Sequence, residues 1–288
     1  MKILLTGKTG QVGGELNSIL KDMGELVSVG REQLDLSKID SIEPAVLDIL
    51  PDIIINAAAY TAVDKAEEEP DLAMTINGVA PGVLAKAAKK VGASLIHYST
   101  DYVFDGRSDT PYREEDATSP LSIYGESKLT GEKNIAETGI PYLILRTSWV
   151  YSLQGKSFLR TIKKLAAERD TLRIVDDQIG APTWAHSIAL ATRKIIEQCG
   201  SNPSLSGIFH LTCQGKSSWY DFAKEILNIS STSQNTQLLP IPTSEFPTPA
   251  TRPLYSLLSN DKLEKVFGFK MPHWHDSLKD CINSNPTI

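Results

Sequence analysis

The segment that most constrains the fold is a glycine-rich turn between a short apolar strand and a helix. Lys2 to Thr6 has the apolar run of a buried parallel strand, and helical spacing extends from Gly13 to Met23. Between them, Gly7 to Gly13 reads GKTGQVG and has the form G-x-x-G-x-x-G. Glycines here let the backbone approach a pyrophosphate, and the helix N-terminus adds unpaired N–H groups. The turn predicts a dinucleotide site, with a purely structural turn as the alternative.

The first half of the chain repeats this alternation of strand and helix. Further strands are predicted at 26–29, 52–56, 94–99 and 142–146, and further helices at 41–50, 71–91 and 127–137. A β-α-β-α rhythm of this kind is typical of a parallel sheet with helices on both faces. The sequence therefore predicts an α/β fold, a Rossmann-type doubly wound parallel sheet.

After about residue 150 the rhythm becomes less regular. Helices are predicted at 157–169, 187–199 and 219–227, and short strands at 172–175 and 207–211; the proline-rich segment 230–253 is predicted to be an extended loop. We expect residues 1–150 to form an NADP-binding Rossmann domain, to which elements around 175–200 return. Residues 151–288 are expected to form mainly a smaller α/β substrate lobe.

Composition excludes several classes of partner. Lys and Arg total 29 against 35 Asp and Glu, a formal net charge of −6, and no basic stripe is present. This argues against nucleic acid as a partner. No run of about 18 apolar residues suggests a membrane span. The scattered Cys199, Cys213 and Cys281 form neither a disulfide framework nor a zinc motif, and they predict reduced thiols in a cytoplasmic protein.

The end of the second strand bears on the choice of cofactor. NAD-selective sites usually place an acid there to bind the ribose 2′-hydroxyl, but this strand ends Val29-Gly30-Arg31. A guanidinium suits a 2′-phosphate, whereas a solvated loop arginine is the alternative. Asp35 and Leu36 follow closely enough to border the adenine. We therefore expect NADPH to be favoured over NADH, with NADH still a candidate.

Three residues form a candidate reactive set. Tyr124 and Lys128 have the spacing Y-x-x-x-K, which places them one turn apart on one face of a helix. A neighbouring ammonium is expected to lower the pKa of the phenol and make it a usable proton donor. Thr100 lies at the carboxyl end of the fourth strand, where side chains face a ligand crevice, although Thr100 and Asp101 could simply close a turn. His97, in the same strand, is expected to be a hydrogen-bonded core histidine.

Together these motifs resemble those of the extended short-chain dehydrogenase/reductase family. Longer strings narrow the resemblance to its dTDP-4-dehydrorhamnose reductases; they are 7–13, 56–67 (NAAAYTAVDKAE), 97–104 (HYSTDYVF), 146–151 (RTSWVY), 176–183 (DDQIGAPT) and 247–253 (PTPATRP). The matches extend from the N-terminus to about residue 255. Their joint occurrence is much more specific than either general motif alone.

The resemblance implies an activity and a site. Members reduce the C4 ketone of dTDP-4-dehydro-β-L-rhamnose with a nicotinamide cofactor, which gives dTDP-L-rhamnose for cell-surface polysaccharide. By position, the cofactor would be held by Gly7, Gly10, Gln11, Val12, Gly13, Asp35, Leu36, Ala59, Tyr60 and Thr61, with Tyr124 and Lys128 at the nicotinamide ribose. The sugar nucleotide would meet Thr100, Asp101 and Trp149. Arg252 is a candidate for its diphosphate, with a surface cation as the alternative.

The resemblance also bears on assembly and metal binding. Some members bind Mg²⁺ at a dimer contact through acidic residues, and Glu15 is a candidate match. One acid does not make a metal site. The chain is expected to be a monomer or a homodimer whose ligand is a dTDP-sugar.

Related proteins with other functions supply the alternatives. Sugar-nucleotide 4,6-dehydratases place an acid after the Thr-Asp pair, whereas Tyr102 stands there in this chain, which disfavours dehydration. An epimerase or a reductase of another dTDP-4-keto-6-deoxysugar remains open. A non-catalytic subunit resembling the regulatory β subunit of methionine adenosyltransferase could retain the same trio. Such a regulator would co-purify with a synthetase instead of oxidising NADPH.

Overall fold

The computed structural model describes residues 1–199, 205–230 and 236–284. The strands are Lys2–Thr6 (β1), Glu25–Val29 (β2), Ile53–Asn56 (β3), Ser94–Thr100 (β4), Tyr142–Thr147 (β5), Val150–Tyr151 (β6), Thr171–Val175 (β7), Ile179–Gly180 (β8), Thr183–Trp184 (β9), Gly207–His210 (β10), Ser217–Ser218 (β11) and Gln237–Ile241 (β12). The helices are Gln11–Ile19 (α1), Ile42–Ile49 (α2), Val63–Ala66 (α3), Pro70–Ala73 (α4), Ala80–Val91 (α5), Ile123–Ala136 (α6), Phe158–Glu168 (α7), Ala185–Cys199 (α8), Trp219–Ser230 (α9), Asp261–Phe267 (α10) and Trp274–Asn283 (α11).

The central sheet has six strands in the order β10-β5-β4-β3-β1-β2, and every neighbouring pair is parallel. From β1 the chain moves outward to β2 and then crosses to β3 on the opposite side of β1. Ligands bind at such a reversal, outside the carboxyl ends of the strands. The predicted doubly wound α/β fold is confirmed.

Alternate residues of each central strand pack on opposite faces of the sheet. Ile3 and Leu5 lie in one apolar cluster with Leu16 of α1 and Ile188 of α8, whereas Leu4 lies in another with residues of α2 and α5. The short, fully apolar strands are therefore buried on both sides, as parallel strands require. This double layer fixes the carboxyl ends of β1, β3 and β4 beside one another.

The second half of the chain contributes to both parts of the molecule. β10 is the outer strand of the central sheet beside β5, and α8 packs against α1. Outside the sheet, β7 pairs with β12, β8 with β11 and β6 with β9. A separate cluster that includes Phe222, Trp274 and Leu278 forms the core of this region.

Several predicted element bounds need correction. The segment 230–253 is not one extended loop: its residues 231–235 lie outside the described set, but Gln237–Ile241 is a strand and Thr243–Glu245 a 3-10 turn. Pro240 is tolerated because β12 is the edge of a two-stranded sheet, where a missing N–H costs little. The predicted helix 71–91 contains a π-helical segment, Met74–Val79.

Several helices also begin earlier than predicted, among them α8, which starts at Ala185 rather than Ser187. α1 starts at Gln11 rather than Gly13, directly after the glycine turn. α6 starts at Ile123 rather than Ser127, because the Ser122 hydroxyl caps it by accepting the Gly125 N–H at 3.2 Å. Tyr124 therefore lies in the first turn of α6.

Among the described residues, no helix is both long and apolar enough to cross a membrane. Cys213 and Cys281 are buried free thiols, and burial raises the pKa of Cys281 to about 12. The side chain of Cys199 lies outside the described set.

Candidate active site

The glycine turn after β1 has a shape that side chains would prevent. Gly7 has a φ of +76°, and a Cβ on it would lie 2.7 Å from the Ala58 backbone nitrogen. A Cβ on Gly13 would lie 2.0 Å from the Gly7 carbonyl oxygen. The Gly10 N–H donates to that same oxygen at 2.9 Å, and α1 begins at the next residue. This turn at a helix N-terminus fits the diphosphate of a dinucleotide.

Two cations flank Gly30 at the end of β2. Arg31 is 76 % exposed, and its Nε lies 3.3 Å from Asp35 Oδ2. Lys8, from the glycine turn, donates its Nζ to the Ser28 carbonyl at 3.2 Å, and its Cε lies 3.5 Å from where a Gly30 Cβ would be. Sequence reasoning missed Lys8 because it occupies a variable position of the glycine motif.

The structure brings Thr100 and Tyr124 together at the carboxyl end of β4. The Thr100 hydroxyl lies close enough to the Tyr124 phenol to lower its pKa, and it donates a hydrogen bond to Asp101 Oδ1 at 3.0 Å. The edge of the Tyr102 ring meets the Tyr124 ring, with centroids 5.6 Å apart. Gly125 allows this approach, since a Cβ there would lie 2.3 Å from the Tyr102 carbonyl oxygen.

Burial raises the pKa of Tyr124 to about 12, while the hydrogen bond with Thr100 opposes the rise and the charge of Asp101 adds to it. The expectation that Lys128 lowers the pKa of this phenol is therefore wrong for the chain by itself. The Lys128 amine donates to the Tyr98 carbonyl instead. A phenol with a raised pKa keeps its proton at neutral pH, which suits a proton donor.

Lys128 is 2 % exposed and lies beneath the sheet edge rather than in solvent. Its Nζ donates to the Tyr98 carbonyl at 2.6 Å and lies 3.2 Å from His97 Nε2. Burial lowers the pKa of Lys128 to about 8, and Glu132 opposes this. Glu132 itself forms a buried bidentate pair with Arg146, at 2.9 and 2.7 Å.

Asp101 supplies a pH-dependent contribution to stability. Burial raises the pKa of its carboxyl to about 6, with the Thr100 hydrogen bond opposing the rise. The pKa of Asp101 in the folded chain is higher than its unfolded value near 3.8. The stabilisation that comes from this difference is therefore fully present below pH 3.8 and is lost as the pH rises through 6.

We therefore expect Asp101→Asn to gain about 2.4 kcal/mol of unfolding free energy relative to the native chain between pH 4 and pH 7. Urea unfolding at several pH values measures this difference. Asp48→Asn, on the exposed face of α2, is the control and should show no such trend. A difference for Asp101→Asn that stays constant over this range would contradict the assignment.

Two predicted substrate residues have protein partners. One face of the Trp149 ring stacks on Trp219 at a centroid distance of 3.6 Å, and Trp149 has a φ of +46°. Arg252 pairs with both carboxylate oxygens of Asp64, at 2.9 and 2.8 Å. Trp149 thus lies between the central sheet and α9, and the guanidinium of Arg252 already faces a counter-charge.

The predicted cofactor residues 59–61 follow β3 and are held by neighbouring segments. The Tyr60 N–H donates to Asn77 Oδ1 at 2.8 Å, and its hydroxyl donates to Glu69 Oε2 at 2.7 Å. The π-helical segment that contains Asn77 thereby fixes the backbone beside the glycine turn. Sequence reasoning missed Asn77, which is 1 % exposed.

Glu15 does not form a metal site within one chain. Its Oε2 lies 2.8 Å from His186 Nδ1. Within residues 1–199, 205–230 and 236–284, no group of three or more His, Cys, Asp or Glu side chains could hold an ion. Within one chain, the residues around Glu15 therefore do not fit Mg²⁺.

A doubly wound sheet with this glycine turn and a Thr-Tyr-Lys set defines a nicotinamide-dependent reductase of the extended short-chain type. Residues 1–286 match the family described as "RmlD substrate binding domain". The dTDP-4-dehydrorhamnose reductase of Burkholderia thailandensis is 45 % identical over 292 residues, covering 98 % of each chain. The chain therefore belongs to the dTDP-4-dehydrorhamnose reductase family.

Solved structures agree with this assignment. A dTDP-4-dehydrorhamnose reductase from Clostridium acetobutylicum superposes with a TM-score of 0.93 at 40 % identity, covering 99 % of both chains. The enzyme from Bacillus anthracis, solved in complex with NADP, gives a TM-score of 0.92 at 36 % identity, again covering 99 % of both chains. The predicted family resemblance is confirmed.

Proposed function

We propose that this chain reduces the C4 ketone of dTDP-4-dehydro-β-L-rhamnose with NADPH, which gives dTDP-L-rhamnose. The observation that carries the proposal is the position of Thr100, at the carboxyl end of β4, beside Tyr124 in the first turn of α6. It lies at the edge of the sheet where the glycine turn follows β1. The full-length relatives named for this activity support it.

The side chains of this site divide the chemistry between them. Bound NADPH supplies the hydride that C4 accepts. Tyr124 donates its phenolic proton to O4 as negative charge develops there. Thr100 turns its hydroxyl from Asp101 to give O4 a second hydrogen bond. Lys128 would contact the ribose of the nicotinamide nucleotide through a hydrogen that the Tyr98 carbonyl does not take.

Other predicted residues would contact the cofactor diphosphate and the sugar nucleotide. Gly10, Gln11 and Val12 lie where α1 begins and would meet the cofactor diphosphate. Asp101 and Trp149 would contact the sugar nucleotide. Arg252 would bind the diphosphate of the sugar nucleotide while it remains paired with Asp64.

The assay that tests this function follows NADPH oxidation by the purified chain. We expect turnover with dTDP-4-dehydrorhamnose and little with its 4-keto-glucose precursor. Turnover restricted to another 4-keto-6-deoxysugar would change the substrate. No turnover with either sugar, together with a co-purifying synthetase, would favour the regulatory alternative.

The two cations beside Gly30 lead to a prediction on cofactor choice. We expect Lys8→Ala and Arg31→Ala each to reduce the NADPH-to-NADH ratio of kcat/KM by about tenfold, since each removes one charge-assisted contact to the 2′-phosphate. The change should fall on NADPH, with NADH kinetics retained.

Lys86→Ala, an exposed lysine on α5, is the matched control and should leave the ratio unchanged. Equal kcat/KM for the two cofactors in the native chain and in Arg31→Ala would contradict the assignment of Arg31.

We also propose the domain division predicted from the sequence, with residues 1–150 and the segment around 175–200 holding the cofactor and 151–288 mainly the substrate. The packing of α8 on α1 supports it.

A cytoplasmic location is proposed as well, supported by the reduced, buried Cys213 and Cys281. For assembly we propose a monomer or homodimer, which light scattering would distinguish.

A further inference from the structure

A stacked pair of tryptophans lies just beyond the carboxyl end of β5. Thr100 and Thr147 are register partners in β4 and β5, and Trp149 follows two residues later. The ring centroids of Trp149 and Trp219 are 3.6 Å apart, and the ring planes differ by 6°. Both indoles keep part of their surface accessible, unlike the fully buried Phe222 of the neighbouring cluster. The pair therefore lies at an accessible surface near Thr100 rather than in the core.

The backbone of Trp149 has an unusual conformation that a neighbouring segment holds. Its φ of +46° lies in the left-handed region, which costs free energy for a residue with a side chain. The Ser148 hydroxyl donates to the Ala181 carbonyl at 2.9 Å, and the Thr183 N–H donates to the Trp149 carbonyl at 3.2 Å. These hydrogen bonds fix the direction in which the indole leaves the backbone.

The strand pair β8 and β11 brings two neighbours of this indole together. Gly180 of β8 pairs with Ser217 of β11, and Trp219 directly follows β11 as the first residue of α9. A Cβ on Gly180 would lie 2.6 Å from Cε2 of the Trp149 ring, so a side chain there would displace the indole. Gly180 and Trp219 therefore both restrict where the Trp149 ring can lie.

The position of Trp219 is itself fixed by Gln178, which is 5 % exposed. Gln178 Oε1 accepts the Trp219 Nε1–H at 3.1 Å, and its Nε2 donates to the Thr243 hydroxyl at 3.1 Å. Asp177 accepts the Thr243 N–H, at 2.8 Å and 2.9 Å. The indole N–H can only donate, so it also fixes the orientation of the amide. This Asp-Gln pair, which the proposed reaction does not use, therefore anchors Trp219.

Apolar packing adds to this anchor without replacing it. Phe158 packs on the Trp219 ring, with centroids 4.6 Å apart and planes tilted by 49°. Apolar contact is largely non-directional, whereas a hydrogen bond requires a nearly straight N–H···O angle. Gln178 therefore sets the rotation of the Trp219 indole about its own side-chain bonds.

We propose that Gln178 and Trp219 are positioning residues that hold the Trp149 ring against the sugar of the substrate. The inference rests on the proposed function, in which Trp149 contacts the sugar nucleotide. Trp149 lies at the same strand ends as Thr100, whose hydroxyl serves O4, so the indole meets the sugar rather than the thymidine. The apolar surface of an indole suits the methyl group and C–H bonds of a 6-deoxysugar. Gln178 acts through the two tryptophans without touching the reacting atoms.

The first test needs neither ligand nor turnover. Ring protons of a stacked indole are shifted upfield in NMR, so the full chain labelled with ¹³C-tryptophan reports the stacking of Trp149 on Trp219. Gln178→Leu removes the acceptor of the Trp219 N–H and leaves a side chain of similar size. We expect the Trp149 ring protons to move downfield in this variant, toward the position of an unstacked indole. Unchanged Trp149 resonances would overturn the proposal.

Gln178→Glu is the conservative variant for the same measurement. A glutamate offers an oxygen to the Trp219 N–H whether or not it is ionised, so the Trp149 resonances should stay near their native positions. A downfield movement as large as that in Gln178→Leu would show that the hydrogen bond does not position the indoles, and would refute the role of Gln178.

The second test compares two ligands by isothermal titration in the presence of NADP⁺. In Gln178→Leu the Kd for dTDP-L-rhamnose should rise by about tenfold, because the sugar loses a fixed aromatic contact. The Kd for dTDP, which has no sugar to meet Trp149, should stay within about twofold of the native value. An equal loss for both ligands, or no loss for either, would contradict the proposal.

The chain offers a matched control for this substitution. Gln198 is a partly buried glutamine on α8 whose Nε2 donates to the Phe267 carbonyl at 2.9 Å. Gln198→Leu should leave both the Trp149 resonances and the Kd for dTDP-L-rhamnose unchanged, and effects equal to those of Gln178→Leu would refute a specific role for Gln178. A native chain that does not bind dTDP-L-rhamnose would refute the proposed function and the sugar contact, whereas the NMR measurement tests the arrangement of the two indoles by itself.

Discussion

Replacing Tyr124 with phenylalanine is expected to lower kcat by about 10²- to 10⁴-fold. The change removes the phenolic proton that O4 must receive and leaves the ring against Tyr102, where the two aromatic groups meet edge to face. The Kd for NADPH should change little, because the glycine turn and α1 are untouched. Steady-state NADPH oxidation and cofactor fluorescence measure the two quantities separately.

Tyr142→Phe is the matched control for this experiment. Tyr142 begins β5 at the opposite, amino end of the sheet, so the loss of its hydroxyl should leave kcat within about twofold. Near-native turnover in Tyr124→Phe would remove the phenol from the proposed mechanism. A loss of NADPH binding in that variant would instead assign Tyr124 to cofactor binding.

Replacing Gly13 with alanine is expected to raise the Kd for NADPH by at least about 100-fold, or about 2.7 kcal/mol. The added Cβ would lie 2.0 Å from the Gly7 carbonyl oxygen, so the turn must open by more than an ångström. Its amide groups would then no longer converge where the diphosphate binds. Isothermal titration of NADPH into the variant measures the effect.

Gly14→Ala is a control one residue away. A Cβ there would meet nothing closer than 3.6 Å, and alanine favours the helix that Gly14 occupies. NADPH affinity should stay within about threefold of the native value. Comparable NADPH affinity in both alanine variants would show that the close approach of Gly13 to the Gly7 carbonyl is not needed for cofactor binding.

Local patterns were sufficient to predict the central sheet and the main site. A buried run as short as 53–56 favours a strand over a helix, and the glycine motif and the Tyr-x-x-x-Lys spacing each act within one or two turns of chain. Their positions after β1 and β4 then place them at the same edge of the sheet, as the structure has them.

Pairings between distant segments could not be predicted in this way. The sequence does not predict the strand β12, because its prolines are typical of loops and only the pairing with β7 makes it a strand. The ion pair of Arg252 with Asp64 spans 188 residues. Lys8 and Gln178 each looked ordinary in the sequence, since their roles depend on segments that folding brings alongside.

Hydride transfer from NADPH to the sugar is tested most directly with NADPH that is deuterated at C4 of the nicotinamide, on the face from which this chain transfers the hydride. The purified chain is incubated with this cofactor and dTDP-4-dehydrorhamnose, and the product is analysed by NMR and mass spectrometry. We expect one deuterium in dTDP-L-rhamnose, bound to C4 of the sugar. A product without deuterium, or with deuterium at another carbon, would contradict it.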